Sequence, residues 1–222
     1  MKKILTAIVI LISFVSTAQK TEEEILNDKT PKYSNEFLNI GVGARALGMS
    51  NSIVASVNDV TSGYWNPTGL LGLKELQVGL MHSEYFAGIA KYDYGAVGKA
   101  IDSSSAIGFS FIRFGVDDIP NTTELIDAQG NIDYDRVTSF SAIDNAFIVS
   151  YARKLSDQLD VGGNAKIVYR KVGSFAKSWG FGLDASAKYK HGTWTFAALA
   201  RDVTTTFNAW SFSLTDQMIE VF

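Results

Sequence analysis

The sequence predicts an all-β protein: an antiparallel transmembrane β-barrel of the outer-membrane type, or its N-terminal half, preceded by a short hatch-like segment. Three observations lead to this prediction. Apolar and polar residues alternate with the strand period of two from Leu76 onward. Only 19% of the 222 residues are charged, while 19 are Gly, 14 are Phe and 9 are Tyr. Beyond residue 18, no apolar run approaches the ~20 residues that a membrane-spanning helix needs.

The first 18 residues are predicted to be a signal peptide that directs export. Lys2 and Lys3 form a positive start, Ile4–Val15 form an apolar core, and the small residues Ser16–Ala18 precede a cleavage site. The alternative is a short membrane anchor, but the apolar stretch is shorter than the ~20 residues that span a bilayer. Residues 19–74 are predicted to form an N-terminal arm followed by the hatch-like segment.

Seven strands account for the alternation in the predicted barrel domain, residues 75–222. In the clearest of them, Phe181, Leu183 and Tyr189 share one face, while Asp184 and Lys188 share the other. The predicted strands are Leu76–Ser83, Ile89–Val97, Ala106–Phe114, Ala146–Ala152, Val161–Arg170, Phe181–Lys190 and Trp194–Asp202.

Two folds produce such strands. A soluble β-sandwich turns the apolar face inward, whereas a transmembrane barrel turns it outward to lipid. The barrel is favoured because the strands are near the length of about 9–11 residues that a tilted membrane strand needs. Aromatic residues near strand ends also fit the two membrane interfaces: Tyr85, Phe86, Phe114, Tyr151, Tyr189 and Trp194. The sandwich remains the alternative.

The links between predicted strands differ in length, as in outer-membrane barrels, where short periplasmic turns alternate with longer outside loops. Three links are short: Gly98–Ser105, Arg153–Asp160 and His191–Thr193. The link Gly115–Asn145 is long and acidic. We expect it to hold a protein partner or cargo outside the membrane, with a plain spacer or a cation contact to lipopolysaccharide as alternatives. The candidate residues are Asp117, Asp118, Glu124, Asp127, Asp133 and Asp135.

Residue chemistry gives little support for catalysis or a cofactor. The chain has no cysteine, its two histidines, His82 and His191, lack metal-ligand spacing, and no G-x-S-x-G motif occurs. We therefore expect no enzyme activity and no metal. The acidic pI of about 5.4 and the lack of a basic run argue against nucleic acid.

Charged residues within the strands are expected to form ion pairs on the polar face. Asp93 and Asp184 would find partners there, because buried carboxylates need compensating cations. The candidate cations are Lys91, Lys166, Lys188 and Arg170.

Residues 41–46 match the pattern G-x-G-x-x-A, with Asp59 further along the chain. A dinucleotide site needs a strand before this motif, a helix after it and a parallel sheet around it. The predicted context is antiparallel, so no cofactor is expected.

A turn is predicted just before the first strand. Asn66-Pro67 initiates turns, Gly69 permits positive φ, and Trp65 supplies an apolar anchor beside them. We expect these four residues to seat the segment against the barrel wall, with the Asn66 side chain bonded to nearby backbone. The simpler alternative is an ordinary surface turn.

These residues resemble a known family. Phe37-Leu-Asn-Ile-Gly-Val-Gly-Ala-Arg-Ala-Leu-Gly-Met49, Asp59 and Tyr64-Trp-Asn-Pro-Thr-Gly-Leu70 are similar to the hatch region of the PorV/PorQ family, within the FadL-like superfamily. The usual family form is W-N-P-A-G-L, from which Thr68 departs. The strand ending Ala197-Ala-Leu-Ala-Arg-Asp-Val203 is also similar to a recurrent one. The resemblance covers residues 35–203.

The resemblance implies a non-enzymatic barrel of the type IX secretion system in the outer membrane of a Bacteroidota-like bacterium. Its partners would be the translocon, secreted cargo with C-terminal sorting domains, membrane lipids and lipopolysaccharide. The superfamily also suggests an alternative, a transporter of long-chain fatty acids or other hydrophobic molecules.

The family barrels are expected to have about fourteen strands, whereas seven are predicted here, with a tail that could begin an eighth. Single-chain bacterial barrels have even strand numbers. We therefore expect the sequence to be an N-terminal portion, with a truncated paralogue as the alternative.

Overall fold

The computed structural model of the protein describes residues 35–123, 125–126, 130–204 and 207–213. The predicted signal peptide and arm, up to residue 34, lie outside them. The helices in these ranges are short: α1 (Ala44–Gly48), α2 (Ser62–Trp65), and 3-10 helices at Glu36–Asn39, Pro67–Gly72 and Tyr134–Arg136. None of these helices has the length and apolar character needed to cross a bilayer.

The rest of the described chain is mostly one antiparallel sheet, curled into a half-barrel. The prediction of an all-β, antiparallel fold is therefore confirmed. The strands are β1 (Gln77–Tyr85), β2 (Ala90–Ala100), β3 (Ser105–Asn121), β4 (Thr138–Lys154), β5 (Leu159–Val172), β6 (Ala176–His191), β7 (Trp194–Ala200) and β8 (Phe207–Phe212). Strands β1 to β7 pair in chain order, and β8 returns to β6.

Strands β7 and β8 are two halves of one interrupted strand along the same edge of β6. In β7, Ala200 pairs with Ala185, and in β8, Phe207 pairs with Phe181. The seven residue steps from Ala200 to Phe207 therefore accompany only four steps of β6. The chain leaves the edge between them, and Asp202 there has a φ of 53°. Within the described residues, the sheet thus has seven strand positions.

The two faces of the sheet differ in burial. In β3, Ala106, Ser110 and Ile112 are buried, while Ile107 and Phe109 between them are exposed. The same alternation continues through β4, β5 and β6. We call the buried side the covered face and the other the open face.

Residues 35–73, here called the helical segment, account for the burial of the covered face. Val42, Trp65 and Leu70 are among its buried residues, and on the sheet Tyr92 and Ile112 are fully buried. The segment and the strands share one apolar cluster. Short side chains on the sheet make this contact possible.

The predicted link Gly115–Asn145 is wrong in its bounds. Strand β3 continues to Asn121 and β4 begins at Thr138, so the connection comprises residues 122–137. A β-bulge between Val116 and Ile119 shifts the register, with Asp118 at a φ of 57°. An inserted residue breaks the period of two, and the alternation in the sequence stops there although the pairing resumes.

Gly69 does not adopt the positive φ expected for the turn; instead it lies within the 3-10 helix, at a position with no room for a side chain. A Cβ atom there would lie 2.4 Å from Ser62 Oγ and 2.5 Å from the Val57 carbonyl oxygen. We expect Gly69→Ala to destabilise the protein by about 1–3 kcal/mol, the usual cost of overpacking. The measurement is the denaturant midpoint of the folded protein. Gly48→Ala is the control, because nothing lies within 4 Å of a Cβ there, and an equal shift in both variants would contradict the prediction.

Candidate functional site

The side chain of Trp65 anchors the helical segment. The indole lies at the end of α2, is only 5% exposed, and donates from Nε1 to the Val42 carbonyl oxygen at 2.8 Å. The ring of Tyr64 meets it edge-on at 4.8 Å, and the Tyr64 hydroxyl donates to the Leu38 carbonyl oxygen. Both polar atoms of these large rings are therefore satisfied inside the core.

Asn66 forms the turn that follows. Its Nδ2 donates to the Val54 carbonyl oxygen at 2.9 Å, and its Oδ1 accepts from the Thr68 amide at 3.1 Å and the Thr68 hydroxyl at 2.8 Å. Pro67 then opens the 3-10 helix, where the missing N–H has no consequence. The predicted burial of Trp65, Asn66 and Pro67, and the bond from the Asn66 side chain to backbone, are confirmed.

Thr68 adds a second polar side chain to this buried turn. Its hydroxyl supplies a hydrogen bond to Asn66 Oδ1 that alanine lacks. Because both side chains are fully buried, this bond satisfies two polar groups that would otherwise be costly.

Arg201 connects the helical segment to the interrupted strand, a role not predicted from the sequence. Its guanidinium lies 4.7 Å from the ring centre of Tyr64 and 5.8 Å from that of Trp65. It also donates to the carbonyl oxygens of Leu38 and Tyr64, each at 3.4 Å. Burial raises the pKa of Tyr64, and the nearby Arg201 charge opposes that shift.

A buried ionic cluster lies beside Arg201 on the covered face. Lys166 Nζ contacts Asp184 Oδ1 at 2.8 Å and Asp202 Oδ1 at 2.7 Å. Asp184 also accepts from Asn164 Nδ2 and from the Asp202 amide, both at 2.9 Å. The predicted pairing of Asp184 with Lys166 is confirmed. One ammonium here faces two carboxylates, and the cluster holds the break between β7 and β8 against β5 and β6.

The prediction for Asp93 is wrong. It was expected on the polar face, but it lies on the open face with Gly95 and Val97. Its partners are His82 Nδ1 at 2.6 Å and Arg113 Nη1 at 3.3 Å. On β2, Tyr92 and Tyr94 occupy the covered face. Asp93 lies between them in the strand, so its side chain points to the open face.

The other candidate cations are distributed differently. Arg170 forms a bidentate pair with Asp144, at 2.8 and 2.9 Å, and Lys91 pairs with Asp117 at 3.3 Å. His191 is the last residue of β6, whereas His82 lies within β1. Within the described ranges, no three His, Cys, Asp or Glu side chains come together in a way that could hold a metal.

The acidic candidates are held by separate local contacts. Asp117 pairs with Lys91, Asp118 is exposed in the bulge, and Asp133 accepts from the Asp135 amide at 3.1 Å while pairing with Arg136 at 3.2 Å. Glu124 and Asp127 lie outside the described residues. Asp117 and Asp118 belong to the extension of β3, whereas Asp133 and Asp135 lie just before β4.

The G-x-G-x-x-A stretch, residues 41–46, follows the 3-10 helix Glu36–Asn39 rather than a strand. Its last three residues begin α1, which has only five residues. The antiparallel sheet supplies no strand–turn–helix unit at this position.

No family model matches the chain, and no curated protein matches it.

Removing the single cation of the buried cluster should destabilise the protein. In Lys166→Met, Asp184 and Asp202 lose their common ammonium, and we expect a cost of about 3–5 kcal/mol in unfolding free energy. Denaturant titration of the folded protein measures it. Adding Asp184→Asn should recover part of the loss. The control is Lys177→Met, an exposed lysine on the open face of β6, which should stay within about 0.5 kcal/mol of the parent. Equal losses in the two lysine variants would disprove the role of charge.

Proposed function

We propose that the sheet is the wall of an outer-membrane β-barrel, that the helical segment is its hatch, and that the protein docks or shuttles secreted cargo for the type IX secretion system. The main observation behind this proposal is the difference in polarity between the two faces of the sheet. From β3 to β6 the middle of its open face is apolar, while its covered face carries charged and small residues under the helical segment.

The open-face row of β6 has the height of a membrane. Ten residue steps separate its first and last members, or about 33 Å along the strand. At a tilt of about 40°, this corresponds to about 25 Å along the membrane normal, the height of the apolar band of such barrels. The row contains no charge: Trp179, Phe181, Leu183, Ala185, Ala187 and Tyr189.

Aromatic residues mark both ends of this band. At one end Tyr169 and Trp179 are cross-strand partners with ring centres 4.6 Å apart. At the other end Tyr151 and Tyr189 are exposed, and Trp194 follows at the start of β7. Such girdles fit the interfaces between lipid and water. A β-sandwich would instead need a second sheet over this face, and the described residues contain no such sheet.

The seating of the helical segment favours docking over free passage. The segment packs on the covered face and is fixed by Trp65, Asn66 and Arg201 through contacts described above. A segment held in this way favours a platform that presents cargo over an open channel. The hairpin of β3 and β4, which extends past the β1–β2 turn and bears Asp117 and Asp118, supplies an acidic surface for a partner.

The assignment to type IX secretion rests on the resemblance of residues 35–70 and 197–203 to the PorV/PorQ family. The alternative is a FadL-like transporter of long-chain fatty acids or other hydrophobic molecules, since a hatch serves that role equally well. The test of the acidic connection distinguishes the two functions.

The membrane assignment predicts a penalty for charge at the middle of the open face. Ala185 is exposed, so Ala185→Arg removes no packing in water, but in lipid it should cost about 2–4 kcal/mol. The measurement is the unfolding free energy of the protein folded into lipid vesicles. Ala185→Leu is the control and should not destabilise it. Equal stability of the two variants would contradict a lipid-facing position.

The cargo-docking role predicts that the connection is dispensable for folding but needed for secretion. Replacing residues 122–137 by a short Gly-Ser link should leave the barrel assembled, because β3 and β4 remain whole. Secretion of cargo with a sorting domain should fall, measured as cargo released to the medium.

A second variant separates charge from length. Asp133→Asn with Asp135→Asn keeps the connection at full length, and a loss of secretion there would assign the effect to charge. If secretion continues in the Gly-Ser variant while long-chain fatty-acid uptake falls, the transporter function replaces the one proposed.

A further inference from the structure

A row of ionic side chains crosses the open face of β1, β2 and β3. His82, Asp93 and Arg113 are successive cross-strand partners, and Asp93 contacts both neighbours, at 2.6 and 3.3 Å. Glu84 adds a second carboxylate, 3.6 Å from His82 Nε2. All four side chains are accessible, with Glu84 57% exposed and Arg113 28% exposed.

A groove lies directly beside this row. Gly95 of β2 is flanked by its cross-strand partners Leu80 and Phe111, so the missing side chain leaves a floor between two apolar walls. The resulting cavity has a volume of about 360 Å³ and reaches His82 and Asp93 at its polar end. It therefore joins an apolar body to a charged end.

The apolar band is narrower at this site than on β6. On β2, Asp93 and Lys99 limit the open-face row, and the six residue steps between them span about 20 Å along the strand. Across the sheet, Asp93 is in register with Trp179, so the ionic row lies at the aromatic end of the band, where lipid headgroups would meet the hydrocarbon. Hydrocarbon alone would leave these charges unsolvated, which is costly.

The charges themselves select the ligand. Arg113 and His82 can hold an anion, but the carboxylates of Asp93 and Glu84 lie beside them and would repel a purely anionic headgroup. Asp93 already serves two partners, whereas Glu84 has one long contact to His82 and can accept from an added cation. A headgroup with one phosphate and one hydrogen-bonding ammonium matches this pattern.

We propose that the open face of β1–β3 binds a phosphatidylethanolamine molecule at a defined site. Its phosphate contacts Arg113 and His82, its ammonium contacts Glu84, and an acyl chain lies in the groove over Gly95. The site rests on the proposed membrane location of the open face, but not on any role in secretion. Choline lipids fit less well because a trimethylammonium group cannot donate a hydrogen bond to Glu84.

Native mass spectrometry of the full chain tests the site. The protein is folded in detergent with equal amounts of phosphatidylethanolamine, phosphatidylcholine and phosphatidylglycerol that carry the same acyl chains. We expect preferential retention of phosphatidylethanolamine, about tenfold over the others, as one charge-assisted hydrogen bond would give. Glycerophosphoethanolamine, the headgroup without acyl chains, should not displace it, because the groove contributes to binding.

Two variants locate the bound lipid. Glu84→Gln should abolish the preference for ethanolamine while lipid is still retained. Gly95→Leu should fill the groove and reduce all three lipids; the backbone tolerates a side chain there, since a Cβ would meet Leu80 Cδ2 at an ordinary 3.5 Å. Ala185→Leu on β6 is the matched control and should retain the parent pattern.

Several outcomes would overturn the site. Equal retention of the three lipids, preference for phosphatidylglycerol, or equal losses in Gly95→Leu and Ala185→Leu would each disprove it. Failure of the protein to enter vesicles at all would instead refute the membrane location on which the site rests.

Discussion

The fold depends on a close approach between one short helix and the sheet. The 3-10 helix Pro67–Gly72 lies against strands that lack side chains at the points of contact. A Cβ on Gly162 would lie 2.9 Å from Pro67 Cβ, and one on Gly108 would lie 3.1 Å from Leu70 Cδ1. Larger residues there would lift the helix, and with it the buried turn at Asn66. Small residues on the covered face are therefore a requirement of packing as well as of polarity.

The same approach explains why charges are buried beside the turn. Once the helical segment covers the sheet, Lys166 and Asp184 lose water and must compensate each other. Asp202 joins them only because the edge strand breaks between β7 and β8. Arg201, next to it, reaches the rings of α2. The break between β7 and β8 therefore places Arg201 and Asp202 where they hold the helical segment and the ionic cluster against the sheet.

Much of the strand arrangement was predictable from the alternation of apolar and polar residues with a period of two. The seven predicted strands correspond to β1–β7, and the motif around Trp65 and Asn66 was located correctly as a buried turn. The extension of β3 past Phe114 was missed because the bulge at Asp118 shifts the alternation by one residue. No local pattern in the sequence marks such a shift.

Other features depend on three-dimensional neighbours. Asp93 was assigned to the wrong face because tyrosines, apolar and polar at once, fit either side of a strand. Arg201 acts on rings more than 130 residues away in the chain, and the sequence drew attention to it only as part of the strand ending Ala197–Val203. Contacts of such sequence separation leave no trace in spacing or composition.

The seven strand positions carry a consequence for symmetry. All neighbouring strands are antiparallel. The first strand position, β1, therefore runs in the same direction as the seventh, which is formed by β7 and β8. Within the described part of the chain, neither edge has a further strand partner. Closing this sheet into an antiparallel cylinder requires an odd number of additional strands. In a dimer related by rotation about the cylinder axis, each edge strand would pair with an edge strand of the second copy that runs in the same direction. Such a dimer is therefore incompatible with antiparallel closure. Only an inverted copy, with its acidic hairpin at the opposite rim, would pair antiparallel at both seams.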